Sequence, residues 1–291
     1  MSGARDGLAR SVQVRLTRHA QAIGVDPNLV LTRYAVERFL YRLSRSPHAD
    51  RFVLKGALVL LAWLGETLRP TRDADLLGSG DLSEAALARI FDEVCEMEVE
   101  PDAMTFLADT VNVAPIRVES DYGGYRVTVQ SRLGAARLRV QVDVGIGDIV
   151  VPEPAWLDYP GLLDLPRPRL RAYSRASVMA EKLHAMVVLG SANSRVKDYF
   201  DLHALLLENA VTAGELERAL SATFERRGTA LPDGVPFGLT DEFARDASKQ
   251  TQWQAFLDKN RLEAPRLEQV VADIRGRIAG ALRAAREAES R

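Results

Sequence analysis

From Leu138 to Val144 the chain alternates without a break: Leu138, Val140, Val142 and Val144 are apolar, while Arg139, Gln141 and Asp143 are polar. Successive side chains on a strand point to opposite faces, so this pattern demands a strand over 137–145 with one face in a core and the other open. Gly134-Ala135 marks a turn before it, and 110–118, 124–130 and a short stretch at 72–77 also read as strands. Helical spacing covers 8–24, about 28–43 and 83–97. The apolar run Ala57–Leu64 has the length and Ala/Leu content of a buried helix. Five of the thirteen prolines fall between Pro152 and Pro168, the natural place for a domain boundary. Beyond them the pattern is helical, over about 175–189, 195–208, 212–226 and 262–288. The expected organisation is α+β: a mixed sheet with flanking helices over 1–165, then a helical domain over 166–291.

Charge and cysteine content narrow the setting. In 291 residues the net charge is −2, there is one cysteine (Cys95), and no apolar run approaches the roughly 20 residues a membrane span needs. A cytoplasmic protein with no membrane partner is expected, and a disulfide framework or multi-cysteine zinc site is excluded. The near-neutral balance is uneven along the chain. Between Arg167 and Asp198 seven basic residues face only Glu181 and Asp198. A basic segment on a neutral protein suggests a local polyanion site rather than a surface that coats DNA.

The residues able to do chemistry gather in two places. In Pro70-Thr71-Arg72-Asp73-Ala74-Asp75-Leu76, a strand would put Asp73 and Asp75 on one side, with Cα atoms roughly 6.6 Å apart. Two convergent carboxylates suit a hard cation such as Mg²⁺ (or Mn²⁺) together with substrate phosphates. Asp143, on the open face of its strand, is a third candidate metal ligand. Three carboxylates on neighbouring strands could serve the two-metal clamp of nucleotidyl transfer. No basic partner for them is evident except Arg72, which alternation places on the opposite face. Lys55-Gly56, just before the buried helix, is a candidate phosphate-binding turn. The second cluster is Glu181-Lys182-Leu183-His184 with Arg195-Val196-Lys197-Asp198-Tyr199-Phe200-Asp201. Either it is a surface salt-bridge ladder, or its basic residues bind a triphosphate while Asp198 or Asp201 orients the lysine. The sequence has no P-loop, no H-E-x-x-H and no G-x-S-x-G motif, and a lone histidine such as His184 is expected to be packed rather than catalytic.

In order along the chain, Tyr34–Leu43, Phe52-Val53-Leu54-Lys55-Gly56-Ala57, Arg69–Leu76, Ala180–Ala185 and Arg195–Leu202 resemble the motifs of the AbiEii/AbiGii-type nucleotidyltransferase toxins, which include the MenT-like toxins. The resemblance implies a polymerase-beta-type nucleotidyltransferase fold, an NTP co-substrate, a cognate antitoxin, and an RNA acceptor, foremost the 3′ end of tRNA, whose modification blocks translation. It also implies roles: Asp73 and Asp75 as catalytic metal ligands, Lys55 and Gly56 at the phosphate turn, Lys182 on the triphosphate, and Asp198 in a downstream acidic motif. Thr71, Arg72, Arg195 and Lys197 complete the expected nucleotide-binding set, with Thr71 also the expected site if the antitoxin silences the toxin by phosphorylation. The sequence departs from the family pattern at Ala57, where a second glycine is common, and at the small Ala74 between the aspartates. A protein-nucleotidylating enzyme and a non-catalytic NTP-binding module on the same fold are the alternatives.

Overall fold

A computed structural model describes residues 2–65, 70–116 and 123–289. They fall into two compact units, the first built from residues up to 66, 70–147 and 155–172, the second chiefly from 173–291 with Asp148–Pro154.

The first unit is a seven-stranded mixed sheet with helices. The strands are β1 (Phe52–Lys55), β2 (Ala74–Gly78), β3 (Met104–Pro115), β4 (Gly124–Leu133), β5 (Ala136–Ile146), β6 (Ala155–Asp158) and β7 (Arg169–Ala172). Their spatial order is β3-β4-β5-β2-β1-β7-β6. The β2–β5 and β1–β7 pairs are parallel and the remaining neighbours antiparallel. The alternation that defines β5 does what it demands: Val140, Val142 and Val144 are buried on one face with Val127, Val129, Leu54, Ala74 and Leu76 from neighbouring strands. That face shares its core with α1 (Ser2–Ala22), α2 (Pro27–Arg45) and α4 (Glu84–Glu96). Asp26 caps α2 by accepting the Asn28 amide, and Pro27 opens the helix where its missing N–H is not needed.

The segment after Pro152, expected as a boundary, contributes two strands to this sheet instead of lying outside it. A buried ionic group ties it to α2. Glu37 accepts the Leu162 amide at 2.8 Å, and Arg38 donates to the Pro166 carbonyl at 2.7 Å. Arg38 and Arg42 converge on buried Asp102 at 3.0 and 2.6 Å, so each charge is paired and hydrogen-bonded.

The second unit is helical: α5 (Arg175–Leu189), α6 (Val196–Leu207), α7 (Ala213–Arg226), α8 (Asp241–Arg245), α9 (Ala247–Asn260) and α10 (Leu267–Glu289). Residues 148–154 belong to it because they are held there. Ser177 Oγ donates to the Val151 carbonyl at 2.8 Å and accepts its amide at 3.1 Å. Arg227 donates to Asp148 at 3.0 Å. Among the described residues no helix is long and apolar enough to cross a membrane.

Candidate active site

On the face of the sheet opposite the core, strand register lines up four charged residues. Lys55 on β1 pairs with Asp75 on β2, Asp75 with Asp143 on β5, and Asp143 with Arg126 on β4. Directly paired residues share a face, so cation, anion, anion and cation stand in one row. Asp73 sits just before β2, two residues from Asp75, and is half-buried. Burial and then the charge of Asp143 hold its carboxyl above the usual carboxylate range. The register thus sets Asp75 beside Asp143, and Asp73 lies near enough to Asp143 to feel its charge.

The expectation that these carboxylates lack a basic partner is corrected. Arg126 grips both oxygens of Asp143 at 2.8 Å each. Lys55 faces Asp75 in the register, and its ammonium reaches across to β5, where a Cβ added at Gly145 would meet Nζ at 3.4 Å. Arg126, which no motif in the sequence singles out, thus joins the candidate site.

Lys55 and Gly56 form the junction from β1 into α3 (Gly56–Leu64), the buried helix expected there. Gly56 has φ +69°, and a Cβ there would lie 2.0 Å from Asp75 Oδ2. The glycine thus makes room for the Asp75 carboxylate at the first residue of α3, where backbone amides face outward. Thr71 Oγ1 donates weakly to the Asp73 carbonyl at 3.4 Å. Arg72 is exposed and lies 3.8 Å from Asp26, on the surface.

In the second unit, Lys182 on α5 donates to Asp198 Oδ1 and Asp201 Oδ2 of α6, each at 2.8 Å. Asp198 and Asp201 are three residues apart on one helical face and fully buried. Burial alone would lower the lysine's pKa, but the Asp201 and Asp198 charges outweigh it and raise it. Asp198 shows the reverse: burial pushes up, and Lys182 with Arg195 pulls it below the usual range. Arg195 Nε lies 2.7 Å from Asp198 Oδ2 as an ion pair, while Lys197 is on the exposed side of α6. The salt-bridge geometry is present, but its core is buried rather than a surface ladder. His184 behaves as a packed residue, stacked edge-on to Phe224, with burial pushing its pKa down to about 4.

A family model described as the nucleotidyl transferase AbiEii toxin of type IV toxin–antitoxin systems matches residues 38–273. The chain belongs to the AbiEii nucleotidyl transferase toxin family. As an AbiEii-family protein it is a nucleotidyltransferase toxin, with an NTP as substrate and a cognate antitoxin as partner. The match spans both the carboxylate row and the Lys182 cluster. The AbiEii-family chain is also similar to two solved structures from Helicobacter pylori. JHP933 is 14% identical, with a TM-score of 0.47, over 87% of this chain and 90% of that one. A candidate nucleotidyltransferase is 16% identical, also with a TM-score of 0.47, over 87% and 92%. No curated protein matches the chain.

Proposed function

We propose that this AbiEii-family toxin transfers nucleotides from an NTP to the 3′ end of an RNA, tRNA foremost, and so blocks translation. The observation that carries the reading is the convergence of Asp73, Asp75 and Asp143 beside Lys55 on the face of the sheet opposite the core.

A divalent metal is tested by what its ligands are doing. Asp73 and Asp75 offer hard oxygen donors, and the carboxyl of Asp73 is raised first by burial and then by the charge of Asp143, a negative neighbour that a cation would offset. Asp143 is engaged by Arg126, and among the described residues no group of three or more His, Cys, Asp or Glu is placed to hold a metal. The fit is therefore to Asp73 and Asp75, with Asp143 joining only when Arg126 lets go. Mg²⁺ or Mn²⁺ held there would supply Lewis-acid stabilisation of phosphoryl charge and favour ionisation of the acceptor hydroxyl.

The chain's own residues supply the rest. Lys55, beside the carboxylates, is placed to offset triphosphate charge, and Gly56 keeps the chain clear of the Asp75 carboxylate. Within the second unit, the likeness of the Lys182 and Asp198 segments to the family's downstream motifs supports Lys182, held by Asp198 and Asp201, as a phosphate-contacting residue. Arg195 and Lys197 add positive charge beside it. The test is to incubate the purified protein with total tRNA and each of four labelled NTPs and resolve the products on a denaturing gel. The expected result is label in tRNA with one preferred NTP, lost in Asp73→Asn and Asp75→Asn. Label confined to protein would overturn the RNA acceptor.

A further inference from the structure

The face of the sheet that carries the carboxylates continues, strand by strand, to an exposed aromatic residue. Lys55 and Val53 are two residues apart on β1 and so share a face. Val53 pairs with Arg171 on β7, and Arg171 pairs with Trp156 on β6. Trp156 therefore stands on the same face as Lys55 and Asp75, at the outer edge of the sheet, because β6 ends the strand order. It is 55% exposed although it is one of only three tryptophans in the chain. Arg169, two residues before Arg171, places its guanidinium 5.5 Å from the Trp156 ring centroid. Leu170 and Ala172, which alternate with these arginines, are buried on the other face.

We infer that Trp156, with Arg169 and Arg171, is the stacking platform for the single-stranded end of the acceptor RNA. The inference rests on the RNA-acceptor reading above and names where that RNA lies. An exposed indole beside guanidinium groups is the arrangement that takes an unpaired base on its face and the adjoining phosphates on its cations. Charge complementarity favours this occupant. Arg167, Arg169 and Arg171 fall within five residues of a chain whose net charge is −2. Asp158 lies 3.7 Å from Arg169 with both side chains exposed, so this pair is easily exchanged for a phosphate. The distance also fits. Three strand spacings of about 4.8 Å separate β6 from β2, so the platform is about 14 Å from the Asp75 strand. That is a span of a few nucleotides, and it leaves the terminal 3′-hydroxyl free to reach the carboxylates. A duplex presents no free base face to the indole, which selects single-stranded RNA.

The test uses the full-length protein and a 5′-labelled single-stranded oligoribonucleotide, followed by fluorescence anisotropy, with the same strand annealed to its complement as the duplex control. Trp156→Ala is expected to weaken single-strand binding about 5- to 150-fold, and Trp156→Phe to retain most of the affinity. The Arg169→Gln/Arg171→Gln double variant is expected to make the salt dependence shallower by about 1.4 in log–log slope. In transfer assays Trp156→Ala should raise KM for RNA and leave KM for NTP in place. Trp156→Ala binding within twofold of wild type overturns the platform while leaving the RNA-acceptor reading intact. Loss of antitoxin binding with RNA binding unchanged also overturns it, by making this edge a protein interface. A wild-type protein that transfers to no RNA in the pool defeats the RNA-acceptor reading itself, and the platform with it.

Discussion

Replacing Gly56 with alanine probes how the active site is built, because two separable penalties meet at that residue. Its φ of +69° is in the left-handed region, which costs an alanine about 1–2 kcal/mol. The added methyl would also lie 2.0, 2.7 and 2.9 Å from Oδ2, Cγ and Cβ of Asp75. Contacts that close force the neighbour to move. Asp75 cannot simply rotate away, since its own Cβ is among the atoms overlapped, so β2 must shift. Overpacking of this kind costs about 1–3 kcal/mol, giving a total of about 2–5 kcal/mol for Gly56→Ala. In an Asp75→Ala background the contacts to Oδ2 and Cγ are gone while the 2.9 Å approach to Cβ stays, so the penalty should fall but remain above the backbone value. Urea denaturation of wild type, the two single variants and the double variant closes the cycle. The expected coupling is about 1 kcal/mol or more in the direction of relief, with nucleotide transfer lost in every variant. An additive cycle, with coupling below about 0.5 kcal/mol, would show that the glycine is not there to admit the aspartate.

Three further outcomes follow from the same geometry. Lys182→Ala strands two buried carboxylates and should destabilise the protein by about 3–5 kcal/mol, read by urea denaturation, whereas a purely triphosphate-binding lysine would leave stability unmoved. Arg126→Gln frees both oxygens of Asp143; since this ion pair is partly exposed, the stability change should be at most ~1 kcal/mol. Mn²⁺ affinity, followed by the loss of the free-ion electron paramagnetic resonance signal, should rise; unchanged affinity would refute competition between Arg126 and the cation. The pH response of the buried cluster has a definite sign. Asp198, depressed in the folded state, contributes stability that is present above the usual carboxylate value of 3.8 and is lost as pH falls through its lower folded value. Lys182, raised when folded, contributes stability that is present below 10.5 and lost as pH climbs through its higher folded value. The Asp198→Asn variant should lose part of the acid-side decline in melting temperature that wild type shows below about pH 4, measured by calorimetry; identical profiles would refute the assignment.

Much of the first unit is legible in the sequence because its strands have one covered face. Alternation finds β5, and Gly134-Ala135 finds the turn before it. Counting outward from that turn even pairs Arg126 with Asp143, since the hairpin register runs unbroken from Leu133–Ala136 to Gly124–Gly145. The Arg126–Asp143 pair lies seven residues out from the Leu133–Ala136 pair on each strand. By contrast β1 escapes, because Phe52, Val53 and Leu54 are all buried and leave no period to read. The strands β6 and β7 are four residues each and lie among prolines, which reads as a break until their pairing with β1 is seen. In the second unit α9 buries only Trp253 and Leu257 and so lacks a helical stripe. The spacing of Asp198 and Asp201 places both on one face of α6, but their shared lysine is set by packing between helices, which spacing along one helix does not encode.

The excursion of Asp148–Pro154 limits how this protein can be divided. A cut after Ala172, where the helical part of the chain begins, would leave behind the residues that Ser177 and Arg227 hold. An isolated C-terminal fragment would lose the Val151 partner of Ser177 and the Asp148 partner of Arg227. The matching N-terminal fragment would carry residues 148–154 without their Ser177 and Arg227 partners. The two units are therefore not interchangeable cassettes at any single cut point. A chimaera that exchanges the helical unit between relatives must bring residues 148–154 along as a second, non-contiguous insert. Recombination that respects only one junction would yield a chain whose helical unit has lost a segment of its own.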